Sequence, residues 1–169
     1  TEADRTGLAE LGYAPISIVA CNLYPFSAAA KQEPRLADAD LQEMIDIGGP
    51  TMVRASAKNH RNVIIVCNPE NYTRVIEELK SADSTGSVPL EFRKQLALEA
   101  FEHTASYDSA ISDELHSRWI GRPEDYDDKE EQETRLPNTL LASAEKLYNL
   151  RYGENGHQSA ALYIDPKAI

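Results

Sequence analysis

Nowhere in the 169 residues does an apolar run reach the length needed to cross a bilayer. Thr1 opens a polar, charged stretch that does not read as a secretory leader. Lys and Arg are not clustered and the formal net charge is −11, which argues against a nucleic-acid-binding footprint. Much of the acid lies in one run from Glu124 to Glu133, so the rest of the chain is less acidic than the total suggests and retains room for a local phosphate site. Cysteine is scarce. Cys21 and Cys67 each sit inside an apolar run and read as small core residues in a reducing compartment, not as a disulfide or a metal pair. The usual catalytic signatures are missing as well: no Cys-x-x-Cys, no His-Glu-x-x-His, no Gly-Lys-Ser/Thr phosphate loop and no Gly-x-Ser-x-Gly elbow. Metal and nucleophilic-serine chemistry are therefore poor readings. No internal repeat is visible.

What is present is an ordinary globular composition, 41% hydrophobic and 27% charged. Residues 16–24, Ile-Ser-Ile-Val-Ala-Cys-Asn-Leu-Tyr, read as a buried strand that stops at Pro25, and residues 62–67 as a second. Near-continuous apolar runs of this kind suit a parallel sheet covered on both faces. Between them, Asp40 with Glu43 has capping-box spacing, and Leu41, Met44 and Ile45 share a helical face. Gly48-Gly49 reads as the end of that helix, with Pro50 opening the next through Lys58. Asn68-Pro69 reads as a cap and first turn ahead of a stripe of Tyr72, Val75, Ile76 and Leu79. Pro89 starts a longer helix with Leu96, Ala100, Phe101, Thr104, Ile111 and Leu115 as its apolar stripe and a break expected near Ser106. The order is α/β. Two strands are few for a closed domain of that class, and residues 1–13 are weakly periodic, so the reading expects further strands upstream in a longer protein. Residues 121–137 read as an exposed, charged connector.

Four stretches could carry chemistry. Asn22-Leu23-Tyr24-Pro25-Phe26 follows a parallel strand, at the edge where ligands of open α/β sheets gather; it also reads simply as a strand end turning at Pro25. Asp46-Ile47-Gly48-Gly49-Pro50-Thr51 combines a carboxylate with glycines and a helix start able to meet an anion, and reads equally as an interhelical turn. Lys58, with Arg54, Asn59 and His60 beside it, could polarise a carbonyl or donate a proton, or could be a solvated helix end favoured by the dipole. His60 by itself reads as structural. Residues 151–158, Arg-Tyr-Gly-Glu-Asn-Gly-His-Gln, pack a cation, a phenol and an imidazole into a loop that could grip a phosphorylated ligand or be an ordinary polar turn.

Taken together and in order, residues 19–26, 45–51, 54–60, 93–97, 101–108 and 150–155 resemble the bifunctional purine-biosynthesis enzymes that join an IMP cyclohydrolase domain to an AICAR transformylase domain. The resemblance implies that residues 1–120 form the later part of a cyclohydrolase domain, an incomplete methylglyoxal-synthase-like parallel sheet with flanking helices. It implies an acidic connector over 121–149 and the start of the transformylase domain over 150–169. The activities implied are ring closure of formyl-AICAR to IMP with loss of water, and formyl transfer to AICAR from 10-formyltetrahydrofolate as co-substrate. By resemblance the catalytic set is Tyr24, Asp46 and Lys58, with Asp46 at the carboxamide and Tyr24 and Lys58 serving the formyl oxygen and the proton relay. Asn22 and the amides of Ile47, Gly48 and Gly49 would hold the base, and Arg151 and Tyr152 would make the first contacts to the AICAR nucleotide.

No metal or organic cofactor is implied for the cyclohydrolase half. The implied partners are small purine nucleotide intermediates and a second copy of the full-length chain in a cytosolic homodimer, with no nucleic acid and no membrane. Two departures stand out. The upstream part of the cyclohydrolase domain is absent, so the isolated chain is expected to be inactive, and Gly156 stands where the motif carries proline, which loosens the loop around His157. The rival reading is an allosteric nucleotide-binding module of the same fold, as in carbamoyl-phosphate synthetase. It would not need the Tyr24, Asp46 and Lys58 set or the Arg151 motif. A third reading is a structural fragment that binds no ligand.

Overall fold

The computed structural model describes residues 2–81, 88–120 and 144–164. It divides into two units, Thr1–Asp108 and Ser109–Ile169, each treated by itself. The first begins with α1, Glu2–Glu10, where the sequence reading has no element. The helix buries none of its residues, so no apolar face marks it in the sequence. Strand β1, Ile18–Ala20, runs parallel to β2, Ile64–Val66, with Ile18 opposite Ile64 and Ala20 opposite Val66. Between them come α2 (Phe26–Ala30), α3 (Asp38–Gln42) and α4 (Gly48–Lys58). A 3-10 turn over Pro69–Asn71 leads into α5, Tyr72–Ser81, and then comes α6, Leu90–Trp119, which crosses the boundary between the units. The α/β order with a parallel pair is therefore present.

The two strands are not equivalent. All of β2 is buried, whereas Ile18 in β1 is 44% exposed and Ile16 just before it 72%. The sequence reading expected both strands to be covered on both faces. That holds for β2, but β1 buries one side only, and Val19, Cys21 and Leu23 are the side chains it and its continuation lay against the core. That core joins Val53 and Ala57 of α4, residues 63–67, Val75 of α5, and Phe92, Leu96, Ala97 and Ala100 of α6.

Local chemistry explains the boundaries. Asn68 Oδ1 accepts from the Glu70 amide at 3.0 Å and Pro69 occupies the first turn, the cap expected there. The cap expected at Asp40 does not form. α3 starts at Asp38 behind Ala37, which offers no side-chain acceptor, and ends at Gln42. Gly48-Gly49 does not end a helix but begins α4, and Pro50 sits within its first turn, where a missing N–H leaves no helical bond unmade. α6 is continuous through Ser106, because Phe92, Leu96, Ala100 and Thr104 recur at four-residue spacing, bury one face, and lead on to Tyr107. Phe101, expected in that stripe, is exposed on the flank, with the Arg54 guanidinium 5.5 Å from its ring centroid.

In the second unit, β3 (Glu145–Leu150) and β4 (Ala160–Ile164) form an antiparallel pair with a register irregularity between Lys146 and Tyr148. Thus residues 145–149, read as the end of the connector, lie in a strand, while the connector over 121–137 falls outside the described residues. Among the described residues no helix is long and apolar enough to cross a membrane.

The asymmetry of the sheet gives a stability test. Ile65→Ala removes a side chain that is 1% exposed and should cost about 2–5 kcal/mol, while Ile18→Ala should cost less than about 1 kcal/mol, both read by denaturant unfolding. Equal losses would show that β1 is as deeply packed as β2.

Candidate functional site at the carboxyl edge of the sheet

The parallel pair continues one residue past the strands, the Cys21 amide donating to the Val66 carbonyl at 3.0 Å. The chain then turns. The Phe26 amide closes onto the Tyr24 carbonyl at 2.8 Å, and the buried Phe26 ring anchors the start of α2. This leaves Asn22 and Tyr24 at the carboxyl end of β1, with the Tyr24 side chain 55% exposed. Asn22 Oδ1 lies 3.5 Å from the Tyr72 hydroxyl, which donates to it.

Asp46 joins the same edge. Its Oδ1 accepts from the Gly49 amide at 2.7 Å, and its Oδ2 lies 3.4 Å from the Tyr24 amide, which donates to it. An Asp accepting from the amide three residues on is a helix cap in form, and it places negative charge at the positive end of α4. The Gly49 contact requires glycine. A Cβ there would lie 2.8 Å from Asp46 Cγ and 2.8 Å from Leu23 Cδ2. Gly48 is different, since a Cβ on it would meet open space. Ile47 is exposed, and its carbonyl accepts from the Thr51 hydroxyl at 2.9 Å.

On the other side of Asp46, its amide donates to the Tyr107 hydroxyl at 2.9 Å, and that hydroxyl donates to the Met44 carbonyl at 3.2 Å. Tyr72 and Tyr107 are absent from the candidate set read in the sequence. The available signal was a tyrosine closing a buried helical stripe, whose hydroxyl needs a partner. Burial pushes the Tyr107 phenol up, as do the charges of Asp46 and Asp108, against a lowering by the Asp46 amide bond. Cys21, whose thiol lies 4.0 Å from the Gly49 carbonyl, is raised by burial and then by the Asp46 charge. Cys67 is raised mainly by burial. Both are free thiols, in keeping with packing residues.

Lys58 is not with them. It ends α4, while Gly48 begins it, and α4 runs from the carboxyl end of β1 back to the start of β2. The rise along these eleven residues is about 15 Å, so a single chain puts Lys58 at the opposite end of the sheet from Asp46. Of the four side chains expected to share one cleft, Asn22, Tyr24 and Asp46 belong to segments at the carboxyl edge of β1, and Lys58 lies at the far end of α4. A cation in the last turn is favoured there by the helix dipole. His60, with Nδ1 3.1 Å from the Ala57 carbonyl, packs as a structural residue.

In the second unit, Arg151 and Tyr152 are exposed directly after β3. The loop that follows is closed by the Gly153 amide on the Gln158 carbonyl at 2.9 Å and the Asn155 amide on Gln158 Oε1 at 2.9 Å. Gly153 also avoids a clash, since its Cβ would lie 2.9 Å from that of Gln158. Among the described residues no three His, Cys, Asp or Glu side chains group as a metal site.

The chain is thus an α/β protein with a polar cluster where ligands of parallel sheets bind. A model of the AICARFT/IMPCHase bienzyme family matches residues 56–169, and the chain belongs to that family. It is 44% identical over 160 residues to the bifunctional purine biosynthesis protein PurH of Sorangium cellulosum, covering 95% of this chain and 29% of that protein. It is 48% identical over 162 residues to the PurH of Persephonella marina, covering 94% of this chain and 28% of that protein. The chain therefore spans under a third of the length of these relatives. The crystal structure of ForH superposes with a TM-score of 0.58 at 35% identity, over 69% of this chain and 58% of that one.

The two glycines at the start of α4 predict opposite results. Gly49→Ala should displace Asp46 or Leu23 and destabilise by roughly 1–3 kcal/mol, whereas Gly48→Ala should be close to neutral. Thermal unfolding of both variants checks this; a neutral Gly49→Ala would show that the Asp46 loop is not tightly held.

Proposed function

We propose that this chain serves IMP biosynthesis, as the later part of an IMP cyclohydrolase domain joined to the start of an AICAR transformylase domain. The observation that carries the reading is the match to two curated PurH proteins over 94–95% of the chain. On this reading residues 1–120 belong to a methylglyoxal-synthase-like domain, 121–149 connect, and 150–169 open the transformylase, which takes its formyl group from 10-formyltetrahydrofolate. The assembly is a cytosolic homodimer of longer chains acting on purine nucleotide intermediates.

Ring closure requires the carboxamide nitrogen of formyl-AICAR to attack the formyl carbon while the formyl oxygen gains charge. Asp46 suits the first task. With Oδ1 held by the Gly49 amide, the carboxylate has a fixed direction, and its remaining lone pairs can orient the carboxamide N–H and take its proton. Tyr24, exposed on the same edge, supplies the hydroxyl that donates toward the formyl oxygen on this reading. Asn22 and the amides opening α4 supply donors and acceptors for the base, and Arg151 with Tyr152 serves the AICAR nucleotide in the transformylase half. Within one chain Lys58 does not reach this ring. Its part in stabilising the formyl oxygen then falls to the Lys58 of a second subunit, which a homodimer provides.

Steady-state kinetics of IMP formation from formyl-AICAR by the intact enzyme test the assignment. Lys58→Ala should lower turnover roughly 100- to 1000-fold, about 3–4 kcal/mol, with a smaller change in KM, because charge on the formyl oxygen develops only as the ring closes. Near-normal turnover would return Lys58 to the role of a solvated helix end.

A further inference from the structure

We propose that Tyr107 is a positioning residue for Asp46, its hydroxyl setting the direction in which the carboxylate leaves the loop ahead of α4. The inference rests on the reading of Asp46 as the group that meets the carboxamide, and adds to it a residue outside both site loops.

The geometry is specific to the hydroxyl. It accepts from the Asp46 amide at 2.9 Å and donates to the Met44 carbonyl at 3.2 Å, so both of its bonds go to the backbone of one short loop. The ring is only 9% exposed and meets Phe26 edge to face, with centroids 6.4 Å apart and planes at 72°. Phe26 directly follows the Tyr24-Pro25 turn. One side chain therefore touches two of the segments that carry candidate catalytic residues, the ring through Phe26 and the hydroxyl through Asp46. Its own position is fixed from α6, where Phe92, Leu96, Ala100 and Thr104 are buried at successive four-residue steps before it. Burial raises the phenol, which keeps it protonated through the neutral range and able to donate to Met44.

The Asp46 carboxylate has two anchors, the Gly49 and Tyr24 amides, and both engage its side-chain oxygens. The Tyr107 bonds instead engage the loop backbone, at the Asp46 amide and the Met44 carbonyl. Without them the Asp46 amide and the Met44 carbonyl lose their partner, and the loop can shift to find others. A carboxylate displaced by about 1 Å from a productive pose costs roughly 100-fold in rate with little change in ground-state binding.

The test is steady-state kinetics of ring closure on the intact enzyme with formyl-AICAR, comparing wild type, Tyr107→Phe, Asp46→Asn and the double variant. Phenylalanine keeps the ring and its contact with Phe26, so the variant folds, and its melting curve verifies that. The expected result is a roughly 10- to 100-fold lower kcat for Tyr107→Phe, a KM within about threefold, and no further loss when the change is made on Asp46→Asn. A merely structural tyrosine would lower the melting temperature and leave kcat in place. Normal kcat in Tyr107→Phe, beside a crippled Asp46→Asn, overturns the inference while leaving Asp46 in its role. Losses that multiply in the double variant overturn it too, since Tyr107 would then act independently of Asp46. Near-normal kcat in Asp46→Asn would instead overturn the reading of Asp46 on which the inference stands.

Discussion

The contact on which the candidate site depends is the hydrogen bond from the Gly49 amide to Asp46 Oδ1 at 2.7 Å. It ties the first turn of α4 to the preceding loop and holds a carboxylate at the positive end of that helix. It is possible only because position 49 has no Cβ, since one would press on both Asp46 and Leu23. From that contact the local architecture follows. α4 leads away to the start of β2, its Val53 and Ala57 enter the core, and Leu23 and Tyr24 are drawn against the Asp46 loop from the other strand end. The group that meets the first turn of α4 is thus the same carboxylate proposed to meet the substrate. The bond that stabilises the helix also reserves one oxygen and leaves the other at the edge of the sheet.

Much of the fold was legible in the sequence. The apolar runs around Ile18 and Ile64 announced a parallel pair, and Asn68-Pro69 announced a capped turn, because β-branched runs and an Asx cap are local signals. What was not legible depends on tertiary partners. Gly48-Gly49 looked like a stop because glycine commonly ends helices, yet here Gly49 is set by the space beside Asp46 and Leu23. α1 went unread because it buries nothing and so carries no apolar period. α6 runs through Ser106 because a buried stripe ending at Tyr107 outweighs a weak helix former.

The site was legible in its residue types more than in its geometry. Asn22, Tyr24 and Asp46 gather at one edge, as their positions after strand and loop suggested. Lys58 lies near Asp46 in the sequence and far from it in the fold, because an eleven-residue helix carries the chain from one end of the sheet to the other. Sequence spacing gives no direction to a helix, and the direction of α4 is what separates the two residues. For Tyr107 the stripe signals that its hydroxyl needs a partner but not which one. Its hydroxyl reaches back to Met44 and Asp46 across more than sixty residues, and no local pattern encodes such a bond.

The proposed purine chemistry lies at this carboxyl edge, on Asp46 and the start of α4. A crystal structure of the intact enzyme with IMP bound tests it most directly. The expected result is the purine ring against Tyr24, with the amides of Ile47 to Gly49 at its edge and Asp46 within hydrogen-bond distance of the ring nitrogen derived from the carboxamide. A purine ring bound elsewhere, with the Asp46 carboxylate still engaged only by Gly49 and Tyr24, would contradict it.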